Sequence, residues 1–223
     1  FTADNQYFIG TDEDFAPYGA THFEIAEGPF AGTYPSVPVP GAAPIIILSD
    51  ELLNGPVVYG GYGCPASAPI PPPSSIPGYE ASLLPGEEKI IVLQRGPTGD
   101  PSAPEGACFP GEKAHEAVLA GWEAVLFVQR HGGTENPPFC GSGAFVDVIV
   151  GVCTNHEAFH KLFNTPPFTG PYPISAYPDG PPIGAVGSKI AATAAFDGWG
   201  YVHLLSNTPV AGKFAELDTY AID

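Results

Sequence analysis

The sequence predicts a β-rich α+β fold with two or three short helices. Three observations carry that prediction. Apolar residues arrive in discrete runs of strand length: Ile45–Leu48, Val57–Tyr59, Ile90–Leu93, Val125–Val128 and Val146–Val152. Gly and Pro number 28 each among 223 residues, and between such runs they read as turn chemistry rather than disorder. Residues 89–129 form one βαβ-like unit, with an apolar strand at each end and a single helix between them.

The elements of that unit follow in order. Ile90, Ile91, Val92 and Leu93 are an unbroken apolar run, as expected of a strand covered on both faces. An Arg95-Gly96 turn closes the strand. Ala114, Ala117, Val118 and Gly121 recur at helical spacing, so the helix Glu112–Ala120 has a small-residue face that can lie close to a sheet. Gly121 is a natural stop. Ala124–Val128 is the next buried strand, and parallel pairing with the first requires a right-handed crossover. Further on, Val146–Val152 reads as a strand. Thr154 or Asn155 then caps a short helix that turns Phe159, Leu162 and Phe163 to the core.

Lys89–Gly96, then Gly106-Ala107-Cys108-Phe109 with Glu112-Lys113, then Ala120-Gly121-Trp122-Glu123-Ala124-Val125 resembles the protease-associated (PA) domain. The resemblance spans Pro56–Phe163, roughly half the chain. It implies a β-barrel or sandwich core in a non-catalytic module of secreted or lumenal proteins, serving protein contacts or substrate access. The Pro/Gly-rich loop Pro97–Gly106 is longer than the family pattern. A second resemblance flanks the first. Phe196–Leu205 and Leu217–Ile222 are similar to strands of LVIVD-type propeller repeats in bacterial surface proteins, and Tyr7–Phe15 fits as the preceding strand. This implies a PA-like domain over 35–190, inserted into a small sheet made by 1–34 and 191–223. Insertion is tolerated where chain ends lie close together. The competing reading makes these segments edge strands of one domain.

Charge and composition exclude several function classes. There are 24 acidic and 7 basic residues, a net charge of −17. Nucleic acid and anionic membrane surfaces are repelled by such a chain. No run approaches the ~18 apolar residues that a spanning helix needs. No basic stretch followed by an apolar one opens the chain, and Phe1 is not a start residue, so a mature or trimmed form is expected. The four cysteines, Cys64, Cys108, Cys140 and Cys153, contain no Cys-x-x-Cys pair, which argues against a zinc ribbon. An even count suits two disulfides in an oxidising, extracellular or cell-surface compartment. Three connectivities are open. The favoured one is Cys64–Cys108 with Cys140–Cys153, because the second bond closes a short loop around Ala144–Val152.

The sharpest chemical motif is His156-Glu157-Ala158-Phe159-His160, which matches H-E-x-x-H. On a helix the two His fall one turn apart on one face and can hold zinc, with Glu157 as general base. A third ligand is not evident. No Gly-x-x-His follows, Asp179 lies in a Pro-rich stretch that cannot be helical, and Glu216 is distant. The plainer reading is a structural helix. Gly141-Ser142-Gly143 is not a nucleophile elbow, and Gly60-Gly61-Tyr62-Gly63 lacks the Lys of a phosphate loop. Asp12, Glu13 and Asp14 offer hard oxygen ligands for calcium, with Asp197 or Asp218 as further donors. The Pro-rich stretches 69–73 and 165–182, the latter bearing Phe168, Tyr172 and Tyr177, read as covering loops or contact strips.

The expected function is therefore a non-catalytic extracellular structural or protein-interaction module, self-assembling or part of a larger surface protein. Its partner would be another protein or a second copy of itself, and loose terminal strands would offer edges for β-augmentation. No cofactor is required by that reading, with calcium the candidate if one is bound. The alternatives are a zinc peptidase using His156, Glu157 and His160, and a calcium-stabilised binding module.

Overall fold

The computed structural model describes residues 7–10, 20–96, 108–165, 180–195, 201–206 and 216–218. In chain order the strands are β1 (Tyr7–Gly10), β2 (Ala20–Ile25), β3 (Gly32–Tyr34), β4 (Ser36–Pro38), β5 (Leu52–Tyr59), β6 (Ile90–Gln94), β7 (Ala124–Val128), β8 (Val150–Thr154), β9 (Val186–Ala195), β10 (Tyr201–Ser206) and β11 (Glu216–Asp218). The helices are α1 (Tyr79–Ser82), α2 (Pro110–Ala120) and α3 (His156–Leu162). Two compact units result, residues 21–194 and the chain ends 1–20 with 195–223.

In the smaller unit β1, β10 and β11 form a three-stranded antiparallel sheet in the order β1-β10-β11. Tyr7 stands opposite Ser206 and Tyr201 opposite Asp218. The larger unit is one eight-stranded mixed sheet in the order β3-β2-β9-β5-β6-β7-β8-β4. It is open, with β3 and β4 at its edges. The β-rich α+β class therefore holds, while the barrel form does not. Strands β2, β3 and most of β9 build this sheet, although the sequence reading grouped 1–34 and 191–223 with the terminal strands.

The centre of the sheet is parallel. Ile90 pairs with Ala124 and Gln94 with Val128, while Val57 pairs with Ile90 and Ala124 with Val150. Every residue of β6, β7 and β8 is buried, because both faces are covered. Alternation sends Ile90, Val92, Leu126 and Val128 to one face, where Ala158, Phe159 and Leu162 of α3 pack. Ile91, Leu93, Val125 and Phe127 go to the other, against Ala114 and Ala117 of α2. Each large side chain so buried contributes roughly 1.5–3 kcal/mol relative to exposure.

Helix α2 starts two residues before the expected Glu112. Pro110 has the fixed φ that suits a first helical position, and Glu112 Oε2 accepts from the Phe109 amide at 2.8 Å. Gly121 ends the helix at φ 93°. Gly111 admits a close approach, since a Cβ there would lie 1.9 Å from the Ala144 carbonyl oxygen. That carbonyl belongs to the segment before β8, whose later part, from Val146, the sequence reading placed in a strand. Only Val150 onward pairs, and Val146 and Val148 are 76% and 85% exposed. Ile45–Ile47 is likewise a short 3₁₀ turn rather than a strand.

Tyr79 of α1 ties the second face together. Its hydroxyl donates to the Pro56 carbonyl at 2.9 Å and accepts from the Ile90 amide at 3.0 Å, beneath the Trp122 ring. Burial pushes the pKa of this hydroxyl well above the ordinary tyrosine value. Two disulfides, Cys64–Cys108 and Cys140–Cys153, brace the same face, with Cα–Cα separations of 5.7 and 5.8 Å. Among the described residues no helix is long and apolar enough to cross a membrane.

Candidate metal site on the third helix

Strand β8 runs straight into α3, and Asn155 is the hinge between them. Its side chain accepts from the Ala158 amide at 2.9 Å, which fixes the first turn. Phe159 and Leu162 anchor the helix to the sheet. That anchoring turns His156 and His160 inward, so both imidazoles are buried, 6% and 2% exposed. The one-turn offset brings them edge to face, and their Nε2 atoms meet at 3.0 Å.

The outer edge of His160 is also held. Its Nδ1 lies 2.9 Å from Thr165 Oγ1, and that hydroxyl is 3.5 Å from the His160 carbonyl oxygen. If the hydroxyl donates to the carbonyl, it accepts from Nδ1–H, and His160 Nε2 is then the acceptor toward His156. His156 meanwhile lies near a third imidazole, the His131 ring, at 5.5 Å between centroids.

Both imidazoles line a cavity of about 400 Å³, together with Phe30, Glu135, Glu157, Lys161 and Thr165. Glu157 points outward and pairs with Lys161 one turn on. The Glu157 hydrogen bond raises the Lys161 pKa. Glu135 caps the helix start from outside, accepting from the Glu157 amide at 3.4 Å.

The donor chemistry suits zinc. Two nitrogens, each ~2.0–2.1 Å from one zinc ion, lie roughly 3.3–3.4 Å apart in tetrahedral coordination. The observed 3.0 Å is shorter, so the imidazoles would have to part by a few tenths of an ångström to admit the ion. Among the described residues no group of three His, Cys, Asp or Glu side chains converges at binding distance. Asp12, Glu13, Asp14, Asp179 and Asp197 lie outside the described residues. Glu216 and Asp218 are in β11 of the smaller unit.

Sequence reasoning counted Lys113 in the resemblance but gave it no role. Its side chain is 1% exposed. The ammonium donates to the carbonyls of Tyr62, Gln94 and Gly96, the last two at 3.1 and 3.2 Å, and sits 3.4 Å from Cys64 Sγ. A lysine in a helix ordinarily signals the solvent face, so nothing in the local pattern marks it.

No protein-family profile and no curated protein matches the chain. The PA and LVIVD resemblances thus gain no family assignment. Among solved structures the chain is similar to BSAP, a zinc aminopeptidase from Bacillus subtilis, at 16% identity and a TM-score of 0.45. It is also similar to an aminopeptidase from Aneurinibacillus sp. strain AM-1, at 16% identity and a TM-score of 0.42. In each case 84% of this chain is covered but 32% of the other, so the chain spans about a third of their length. The expectation of a non-catalytic structural module, self-assembling or set in a larger surface protein, is corrected on this finding. The two structures named above are aminopeptidases, and that expectation is not carried further.

Proposed function

We propose that α3 provides a zinc site and that the function it supports is metal-dependent peptide hydrolysis. The observation that carries the reading is the meeting of the His156 and His160 Nε2 atoms at 3.0 Å in the wall of a cavity. His156 and His160 would hold the ion. Zinc in such a position supplies Lewis acidity and an acidified water.

The remaining roles fall to the chain's own side chains. Thr165 fixes the tautomer of His160 through Nδ1. Glu157 is the proton acceptor, paired with Lys161 and bordering the same cavity. Phe30 gives the cavity an apolar wall on which a peptide side chain can rest. The two disulfides favour an oxidising, extracellular setting for this chemistry.

The test combines metal content with hydrolysis of a mixed fluorogenic peptide library, before and after chelation. The native protein is expected to bind zinc and to cleave. His156→Ala is expected to lose both, whereas Glu157→Gln keeps the metal and loses cleavage. A native protein that stays metal-free and inactive after incubation with zinc ends the proposal.

A further inference from the structure

The two disulfides differ in what surrounds their sulfurs. Cys140 and Cys153 are 4% and 1% exposed, and their Sγ atoms lie 4.0 and 3.9 Å from the Thr154 carbonyl oxygen. The negative end of that carbonyl dipole disfavours a thiolate on either sulfur. Cys64 is also buried, but its Sγ lies 3.4 Å from the Lys113 ammonium. Three backbone carbonyls hold that ammonium in place, so its position does not depend on the disulfide alone. Cys108 is half-buried and lines a cavity of about 200 Å³ with Arg95, Phe109, Pro110 and Lys113; Cys140 borders the same cavity but is buried.

These features assign different parts to the two sulfurs of one bond. Exchange needs an accessible sulfur to be attacked and a partner that leaves as a stabilised thiolate. We propose that Cys64–Cys108 is a thiol-exchange site, at which a small thiolate attacks Cys108 Sγ and Cys64 leaves as a thiolate beside Lys113. The incoming sulfur forms a new S–S bond to Cys108 as the bond to Cys64 breaks. The electron pair of the broken bond goes to Cys64. One disulfide and one thiolate enter, and one disulfide and one thiolate leave, so no further oxidant or reductant is needed. The product is a mixed disulfide on Cys108. Nothing in this step involves the histidine pair.

The folded full chain, exposed to increasing reduced glutathione at neutral pH, tests the assignment. Samples are quenched in acid, alkylated under denaturing conditions and mapped by peptide mass spectrometry. The first product is expected to carry glutathione on Cys108 and the alkyl group on Cys64, with Cys140–Cys153 intact. Lys113→Gln is expected to slow this step about tenfold through the poorer leaving group, leaving the second disulfide unchanged. Opening of Cys140–Cys153 first or together, or glutathione on Cys64, overturns the proposal, as does an unchanged rate in folded Lys113→Gln. Should that variant fail to fold, the order and position of modification in the native chain still decide the matter.

Discussion

The two helices that cover the sheet each bury a nitrogen-bearing side chain, and they treat it differently. On the α2 face the Lys113 ammonium is surrounded by carbonyls of Tyr62, Gln94 and Gly96, drawn from two loops and a strand end. On the α3 face His156 and His160 meet each other at 3.0 Å and border a cavity. The first arrangement spends most of its hydrogen bonds on backbone, with Cys64 Sγ as a further neighbour, and so braces the fold around that sulfur. The second sets two imidazole nitrogens at hydrogen-bond distance from each other in the wall of a cavity. Burial alone does not identify a working site; what the buried group faces does.

Four experiments would break or sharpen that contrast. Lys113→Ala is the harshest, since it strands three buried carbonyls. Each costs about 1–3 kcal/mol when unsatisfied, so a loss of roughly 3 kcal/mol or more is expected in urea unfolding. A loss under about 1 kcal/mol would show that Lys113 is not a brace. Next comes zinc. Free zinc at a hundred times its dissociation constant should raise stability by about 2.7 kcal/mol, and His160→Ala should abolish the gain. An equal gain in both proteins would place the metal elsewhere.

Tyr79→Phe probes the α2 face again, because it removes hydrogen bonds to Pro56 and Ile90. About 1–3 kcal/mol should be lost at neutral pH. The sign of its pH dependence follows from burial. The folded hydroxyl keeps its proton to higher pH than the unfolded one, so its contribution is complete below about pH 10 and is lost as pH rises beyond. Unfolding curves between pH 7 and 11 should therefore fall more steeply for the native chain than for Tyr79→Phe. Parallel curves would contradict this. The smallest effect belongs to Asn155→Ala, which removes the α3 cap at a cost of about 1 kcal/mol. Its sharper readout is zinc affinity, which should weaken because the cap sets the first turn carrying His156.

The sequence made some of this legible and hid the rest for physical reasons. Strands β6 and β7 and helix α2 stand out because a strand buried on both faces must be continuously apolar, and because Gly121 permits the left-handed turn that ends the helix. The His156–His160 spacing was readable, whereas the Glu157–Lys161 pair, one helical turn apart, was not read from it. Phe30 and Glu135 were not, because they reach the cavity from loops distant in sequence. Val146 and Val148 misled, since their alternation suits a strand but no neighbour pairs with them. Strands β2 and β3 are short, and their membership in the large sheet depends on where β9 docks, which no local pattern encodes.

The strand order has one more consequence. Strands β2 and β9, at the two ends of the 21–194 unit, are neighbours in its sheet. The polypeptide therefore enters and leaves this body through adjacent ribbons, as a cassette does. An engineer could excise the stretch at those points, or graft it into a surface loop of an unrelated host, without cutting any of the pairings that knit it together.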